Sequence, residues 1–148
     1  MPTHPLVSII VPSFNQGRFI GETLDSILSQ DYRPIEILVL DGGSTDETVE
    51  VLKSFASAQE LKWWSEPDKG VTDAVNKGMQ RAGGQIVAIQ SSDDLYLPGA
   101  ISTAVEFLTA HEEVMLAYGD VELIDEHSVK LGSDLLGAFD LKQYLGRF

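Results

Sequence analysis

Two carboxylate clusters carry the chemistry that can be read from this chain. One is Asp41, within Leu40-Asp41-Gly42-Gly43-Ser44-Thr45-Asp46; the other is Asp93-Asp94, within Gln90-Ser91-Ser92-Asp93-Asp94. Each stands just past an apolar run that reads as a buried strand, and ligands of open α/β sheets collect beyond the carboxyl ends of the strands. A carboxylate is a good acceptor for the N3–H of a uracil ring, which is a donor flanked by two carbonyls. Adjacent carboxylates are the hard oxygen donors that Mg²⁺ or Mn²⁺ takes when substrate phosphates complete its shell. The pattern thus points to a site that grips a base with one cluster and a divalent metal with the other. Helix capping competes with this reading for Ser44 and Asp46, since Ser44 and Glu47 have the spacing of a capping box. Asp41 and Asp93 stand too early for their helices to serve as caps.

The elements that must position these groups follow from periodicity. Val7 to Val11 is a β-branched run closed by Pro12 and reads as a strand. Ile20, Leu24, Ile27 and Leu28 recur as the apolar face of a helix. Ile35 to Leu40 is a second strand, followed by a helix through Val49, Leu52 and Phe55. A short strand from Leu61 to Trp64 leads into the loop Ser65 to Gly70. Val71, Val75 and Met79 mark a third helix, stopped by Gly83-Gly84. Ile86 to Ile89 is a strand that delivers Asp93-Asp94, and Pro98-Gly99 opens a helix through Ile101, Val105 and Leu108. Val114 to Tyr118, Val121 to Ile124 and Val129 to Leu131 read as strands, the last two joined by a turn at 125–128. Gly132 to Phe148 carries one weak helix signal, Leu141, Tyr144 and Leu145. Strand alternating with helix four times predicts an α/β fold, a mostly parallel sheet with helices on both faces.

Composition narrows the function. The 148 residues are read as a single domain. A formal net charge of −13 argues against a nucleic-acid surface and against electrostatic docking on anionic lipid. An anionic nucleotide bound here would need a cation to offset the local carboxylates. With no cysteine there is no disulfide, thiolate metal site or Cys nucleophile. No apolar stretch reaches the roughly 18 residues of a membrane span, and the first residues resemble no signal peptide, so the expected location is cytoplasmic. The loop after the first strand, Pro12-Ser13-Phe14-Asn15-Gln16-Gly17, lacks the glycine fingerprint of a dinucleotide site, and no segment matches a P-loop. His4, His111 and His127 have no zinc-ligand spacing and read as surface residues. Trp63-Trp64 reads as packing rather than a sugar platform, and Asn76 is open between a packing contact and orientation of its loop.

Taken in order, Ser8-Ile9-Ile10-Val11-Pro12-Ser13-Phe14-Asn15, Ser26-Ile27-Leu28-Ser29-Gln30, Asp41-Gly42-Gly43-Ser44-Thr45-Asp46, Ser65-Glu66-Pro67-Asp68-Lys69-Gly70, Asn76-Lys77-Gly78 and Ser91-Ser92-Asp93-Asp94 form a specific set. Through it the chain resembles the family 2 glycosyltransferases, which have the GT-A fold, a Rossmann-like sheet. The resemblance runs from Val7 to about Leu145. It implies inverting transfer of a sugar from a nucleotide-diphosphate donor, UDP-type favoured, to an acceptor hydroxyl, with Mn²⁺ or Mg²⁺ as cofactor, in cell-surface polysaccharide or glycan synthesis. By similarity Pro12 and Ser13 lie against the base, Asp41 binds it, Asp68 and Lys69 line the same cleft, and Asp93 closes the family's Asp-x-Asp metal motif with Asp94 beside it. The first Asp of that motif is Ser91 here, which is suited to a ribose hydroxyl and less to a metal.

No residue after Asp94 matches the family's general base, so no catalytic residue is assigned. The expectation is a donor-binding portion shortened on its C-terminal acceptor side, with the base beyond Phe148. Such a portion would bind nucleotide, transfer poorly alone, self-associate through an exposed apolar patch, and reach a membrane only through other regions or partners. The acceptor (saccharide, lipid-linked or protein) is open. The alternative is a nucleotide-sugar-binding module that has lost the chemistry. A nucleotidyltransferase ranks last, because its Gly-rich, basic loop is missing.

Overall fold

The computed structural model describes residues 4–134. The chain divides between Glu113 and Val114 into two units. The first contains β1 (Val7–Ser13), α1 (Ile20–Leu28), β2 (Ile35–Asp41), α2 (Thr48–Ser54), β3 (Leu61–Ser65), α3 (Val71–Arg81), β4 (Ile86–Ile89) and α4 (Ala100–Ala110). All four strands are parallel, in the order β3-β2-β1-β4. The α/β architecture predicted from the alternating pattern is the one observed.

Side chains that alternate along β1 and β2 feed two separate cores, as the period of a strand requires. Ile9, Val11, Ile37 and Val39 meet Ile20, Leu24 and Ile27 of α1, Leu52 of α2, and Ile101 and Val105 of α4. On the opposite face Ile10, Leu38 and Leu40 meet Ala74 of α3. Both faces are therefore covered, and both strands are apolar almost throughout. The strands advance from β1 to β3, and α3 then carries the chain back to the far side of β1. That reversal creates a switch point between β1 and β4, where open sheets bind ligands.

Two details depart from the sequence reading. Pro12 does not end β1, which continues to Ser13. The Gln90 N–H donates to the Ile10 carbonyl at 2.9 Å, so Ile10 turns its backbone toward β4. Pro12, two residues on, turns the same way, where β4 has already ended, and its missing N–H costs no ladder bond. The second departure is the buried face of α3. Val71 and Met79 are exposed, and the helix instead buries Ala74 and Gly78. A Cβ at Gly78 would lie 2.5 Å from Ile10 Cγ2. The helix approaches the sheet too closely for a larger residue, so its small-residue face wins over its bulkier one.

In the second unit β5 (Val121–Ile124) and β6 (Lys130–Asp134) form an antiparallel hairpin with an irregularity at Leu123/Ile124. The Asp125 carboxylate accepts from the His127 and Val129 N–H groups and shapes the turn, with Ser128 at φ 60. Val114 to Tyr118, expected as a strand, is not one. Met115 is 94% exposed there, and a short apolar run without a ladder partner does not hold an extended register. Gly132 to Asp134 belongs to β6, and the helix signal at Leu141, Tyr144 and Leu145 lies outside the described residues. Among the described residues no helix is long and apolar enough to cross a membrane.

At the amino end of the sheet, Glu36 accepts hydrogen bonds from Ser8 Oγ at 2.6 Å and the Gly83 N–H at 2.7 Å, with Lys62 Nζ at 3.7 Å. Burial would raise its pKa, but these bonds and the Lys62 charge outweigh burial and hold it below its ordinary 4.5. A depressed carboxylate stabilises the fold above its unfolded pKa and loses that contribution as pH falls through the folded one. Glu36→Gln is expected to cost about 1.5 kcal/mol at neutral pH, the scale of a charged hydrogen bond. Urea unfolding across pH should show the gap from wild type narrowing below pH 4.5, the ordinary value.

Candidate functional site

The parallel register sets three strand ends side by side: Ser13 pairs with Asp41, and Asp41 with Ser65. Beyond them, at the switch point, opens a cleft of ≈ 540 Å³, within the usual range for small-ligand sites. β1 and its following loop contribute Pro12, Ser13, Phe14 and Gln16, and the loop after β4 contributes Ser91, Ser92 and Asp93. Gly42, Asp68, Gly70 and the first turn of α3 (Val71, Ala74) complete the wall.

Asp41 is 2% exposed and lies behind this wall. Its Oδ2 accepts from the Ser44 N–H at 3.0 Å and from Ser65 Oγ at 2.6 Å, and its Oδ1 accepts from the Ser44 hydroxyl. A buried carboxylate needs such donors, because water is no longer there to solvate it. Ser44 is therefore a ligand of Asp41 and not a helix cap, which corrects the capping-box reading. Glu47, at the N-cap position of α2, makes no side-chain cap either. Asp46 fills part of that role, accepting from both the amide and the hydroxyl of Thr48.

Asp46 also accepts from the Gly17 N–H at 3.0 Å. Burial works against its charge, but these bonds outweigh that and hold its pKa below the ordinary value. They belong to a clamp between the loops after β1 and β2. The Asn15 N–H donates to Ser44 Oγ at 2.7 Å, the Thr45 N–H to Asn15 Oδ1 at 2.9 Å, and the Gln16 N–H to Thr48 Oγ1 at 3.0 Å. The approach is close: a Cβ at Gly17 would stand 2.7 Å from the Thr48 nitrogen. The clamp fixes the backbone just after Phe14, which is 59% exposed.

Of the residues expected from the sequence, Pro12, Ser13, Asp68, Ser91 and Asp93 come together on the cleft wall. Lys69 is exposed on the adjoining loop, its N–H donating to Asp73 Oδ2 at 3.2 Å, and Asp94 is exposed one residue past the wall. Sequence reasoning missed Phe14, Gln16 and Val71. Phe14 had a signal, as an aromatic directly after a strand end; Val71 was hidden by its place in the apolar pattern of α3. Trp63 and Trp64 pack against the two opposite cores, with the Arg81 guanidinium 4.8 Å from the Trp64 ring centroid. Asn76 is exposed, as are the three histidines.

Comparison with known proteins agrees with this geometry. The profile described as Glycosyl transferase family 2 matches residues 8–131. The chain belongs to that family. This family 2 glycosyltransferase chain is 35% identical over 144 residues to the PGL/p-HBAD biosynthesis glycosyltransferase of Mycobacterium bovis (strain BCG / Pasteur 1173P2), covering 95% of this chain and 54% of the relative. An uncharacterized glycosyltransferase of Rickettsia felis is 35% identical over 130 residues, or 86% of this chain and 21% of its own length. The chain thus spans about half of the mycobacterial relative, and less of the rickettsial one.

Among solved structures, S. aureus TarS 1-349 in complex with UDP-GlcNAc aligns at TM-score 0.67 and 28% identity, covering 72% of this chain and 32% of that one. The mannosyltransferase PcManGT from Pyrobaculum calidifontis, in complex with GDP-Man and Mn²⁺, aligns at TM-score 0.68 and 30% identity, covering 83% and 36%. The fold is GT-A.

The donors around Asp41 make a direct test of the support behind the wall. Ser65→Ala leaves Asp41 buried with one fewer donor and is expected to destabilise the domain by about 1.5–3 kcal/mol. Urea denaturation at pH 7 measures it, and a loss near zero would mean that water replaces the hydroxyl.

Proposed function

We propose that the domain binds a nucleotide-diphosphate sugar, UDP-type in preference to GDP- or dTDP-type, as the donor side of an inverting glycosyltransferase acting in cell-surface glycan or polysaccharide synthesis. The observation that carries this reading is Ser13. Its hydroxyl is the one buried side-chain polar atom without a partner found among the described residues, and Ser13 lines the cleft at the switch point. A buried unsatisfied hydroxyl costs roughly 1–3 kcal/mol, which a polar ligand edge seated there recovers. In this reading Phe14 stacks on the base, Pro12 and Ser13 flank it, and Asp68 and Lys69 stand along the same side. Asp41, behind the wall, has its less occupied oxygen, Oδ1, for the base, while Ser91 meets a ribose hydroxyl.

The charge on the wall supports a divalent cation. Among the described residues Asp68 and Asp93 line the cleft and no Lys or Arg does, so the charged side chains that a diphosphate meets there are negative. Among the described residues no group of three or more acidic or histidine ligands is preassembled. Two adjacent carboxylates suit Mn²⁺ or Mg²⁺, which keep most of their shell for phosphate and water. Asp93, with Asp94 beside it, would hold the ion, which would supply neutralisation of the charge on the departing diphosphate. With Asp68 on the nucleotide side and Asp93 at the metal, no carboxylate of the described wall is assigned to deprotonate the acceptor.

Ser91 favours a second reading, a nucleotide-sugar-binding module without transfer, because it replaces a carboxylate on the metal side. Assay of sugar transfer by the full-length protein separates the two.

Calorimetry with UDP, GDP and dTDP, each with and without Mn²⁺, tests the proposal. UDP should bind most tightly, with affinity raised by Mn²⁺. Asp93→Ala should remove the Mn²⁺-dependent gain, and Phe14→Ala should weaken binding about tenfold, the scale of one base–aromatic stack. No binding of any of the three in the presence of Mn²⁺ would refute the reading.

A further inference from the structure

The segment Ser26-Ile27-Leu28-Ser29-Gln30 has no contact with the cleft, yet it makes polar contacts that a packing helix does not need. Thr23, Ser26 and Gln30 recur at i, i+3 and i+7, on one side of α1 and just past its end. Thr23 is fully buried and Gln30 is 5% exposed. Thr23 Oγ1 donates to the Ser92 carbonyl at 2.9 Å. Ser26 Oγ accepts from the Tyr96 N–H at 3.1 Å while donating to the Thr23 carbonyl at 2.7 Å. Gln30 Nε2 donates to the Leu97 carbonyl at 3.0 Å, and its Oε1 accepts from the Ile101 N–H at 3.3 Å. The chain from Ser92 to the start of α4 contains no strand or helix. Beyond its own turns at Ser91–Asp94 and Leu97–Ala100, it is tied to α1 and the residue just past its end.

We propose that Thr23, Ser26 and Gln30 are positioning residues that hold the loop after β4, so that α1 sets where Ser91 and Asp93 stand on the cleft wall. The inference rests on the functional reading above, because it assigns these residues to the metal side of that site. Burying polar groups is costly unless each is satisfied in one geometry, and here Thr23, Ser26 and Gln30 each bond a backbone atom of that loop, at Ser92, Tyr96 and Leu97. An apolar helix face would bury the loop equally well without fixing its register. The polar positions therefore define placement rather than adhesion. Ser92 is central: its carbonyl is tied to Thr23 while its neighbours Ser91 and Asp93 face the cleft.

The test is calorimetric titration of UDP with and without Mn²⁺, on the wild type and on Thr23→Val, Thr23→Ser and Gln30→Leu. Thr23→Val keeps the shape and removes the hydroxyl. UDP affinity without metal should fall no more than about threefold, because the Pro12–Phe14 side is untouched and only the exposed Ser91 contact is disturbed, while the gain on adding Mn²⁺ should fall about tenfold, the scale of one buried hydrogen bond. Thr23→Ser should restore the gain, and Gln30→Leu should reduce it as Thr23→Val does. If either apolar variant fails to fold, Ser26→Ala, at a partly exposed position, carries the same expectation.

An undiminished Mn²⁺ gain in the folded variants overturns the inference. So does an equal loss of affinity with and without metal, which would mark the residues as structural only. Either result, with wild type behaving as expected, leaves the functional reading standing. A wild type that binds no nucleotide diphosphate removes the reading and this inference together.

Discussion

The parallel pairing of β1 with β2 is the constraint from which the site descends. Its register brings Ser13 level with Asp41, and the pairing of β2 with β3 brings Ser65 level with both. A slip of one residue would exchange the two faces of the strand, sending Ile9 and Val11 out of one core and Ile10 into it. Burial therefore locks the register, and the locked register delivers a serine hydroxyl on each side of a buried carboxylate. The pairing of β1 with β4 stops at Ile10 and Ile89, three residues short of the end of β1. That difference in length leaves room for the cleft between Ser13 and the loop that holds Asp93.

Around this opening the protein uses buried polar groups to shape loops that have no regular structure of their own. Asp41 organises the turn at Gly42 to Ser44, Asp46 and Asn15 tie two loops together, and α1 holds a third. Each loop has backbone groups satisfied by side chains rooted in a strand end, a helix or a neighbouring loop. Solvent-facing charge has the opposite effect. The cleft wall is acidic within a chain of net charge −13, and without a cation it repels the anionic ligands that its shape admits. In the proposed reading shape and charge play separate parts, the fold selecting by contour and a counter-ion admitting phosphate.

Much of this was legible in the residues. Strands dominated by β-branched residues, the helical period of α1 and α4, and acidic clusters past strand ends all report local preferences that the fold did not override. What failed were features decided by distance between elements. Pro12 looked like a terminator because its neighbour's early end cannot be seen from one strand. The face of α3 was misread because hydrophobicity favoured Val71 and Met79, whereas proximity to Ile10 allowed only Ala74 and Gly78. Ser44 looked like a cap because its spacing was right, but a buried carboxylate three residues earlier was the stronger acceptor. Asp41 itself was recognised as special, although its three donors were not foreseeable: one of them, Ser65, lies 24 residues away.

The contact of Gly78 with Ile10 has a mechanical meaning for the site. With no side chain between helix and sheet, α3 touches the sheet at a hard point, and its first turn carries Val71 and Ala74 on the cleft wall. Seven residues of helix separate Val71 from that point, a lever arm of about 10 Å at 1.5 Å rise per residue. On the other side of the fulcrum, the last turn is held by Arg81, over Trp64 and beside Glu66, with Lys77 at the fulcrum itself reaching the same Glu66. Geometry alone makes the position of that first turn sensitive to the angle at which those remote contacts hold the helix. The breadth of the opening thus depends on residues that line none of it, because they fix the helix whose first turn is part of the wall.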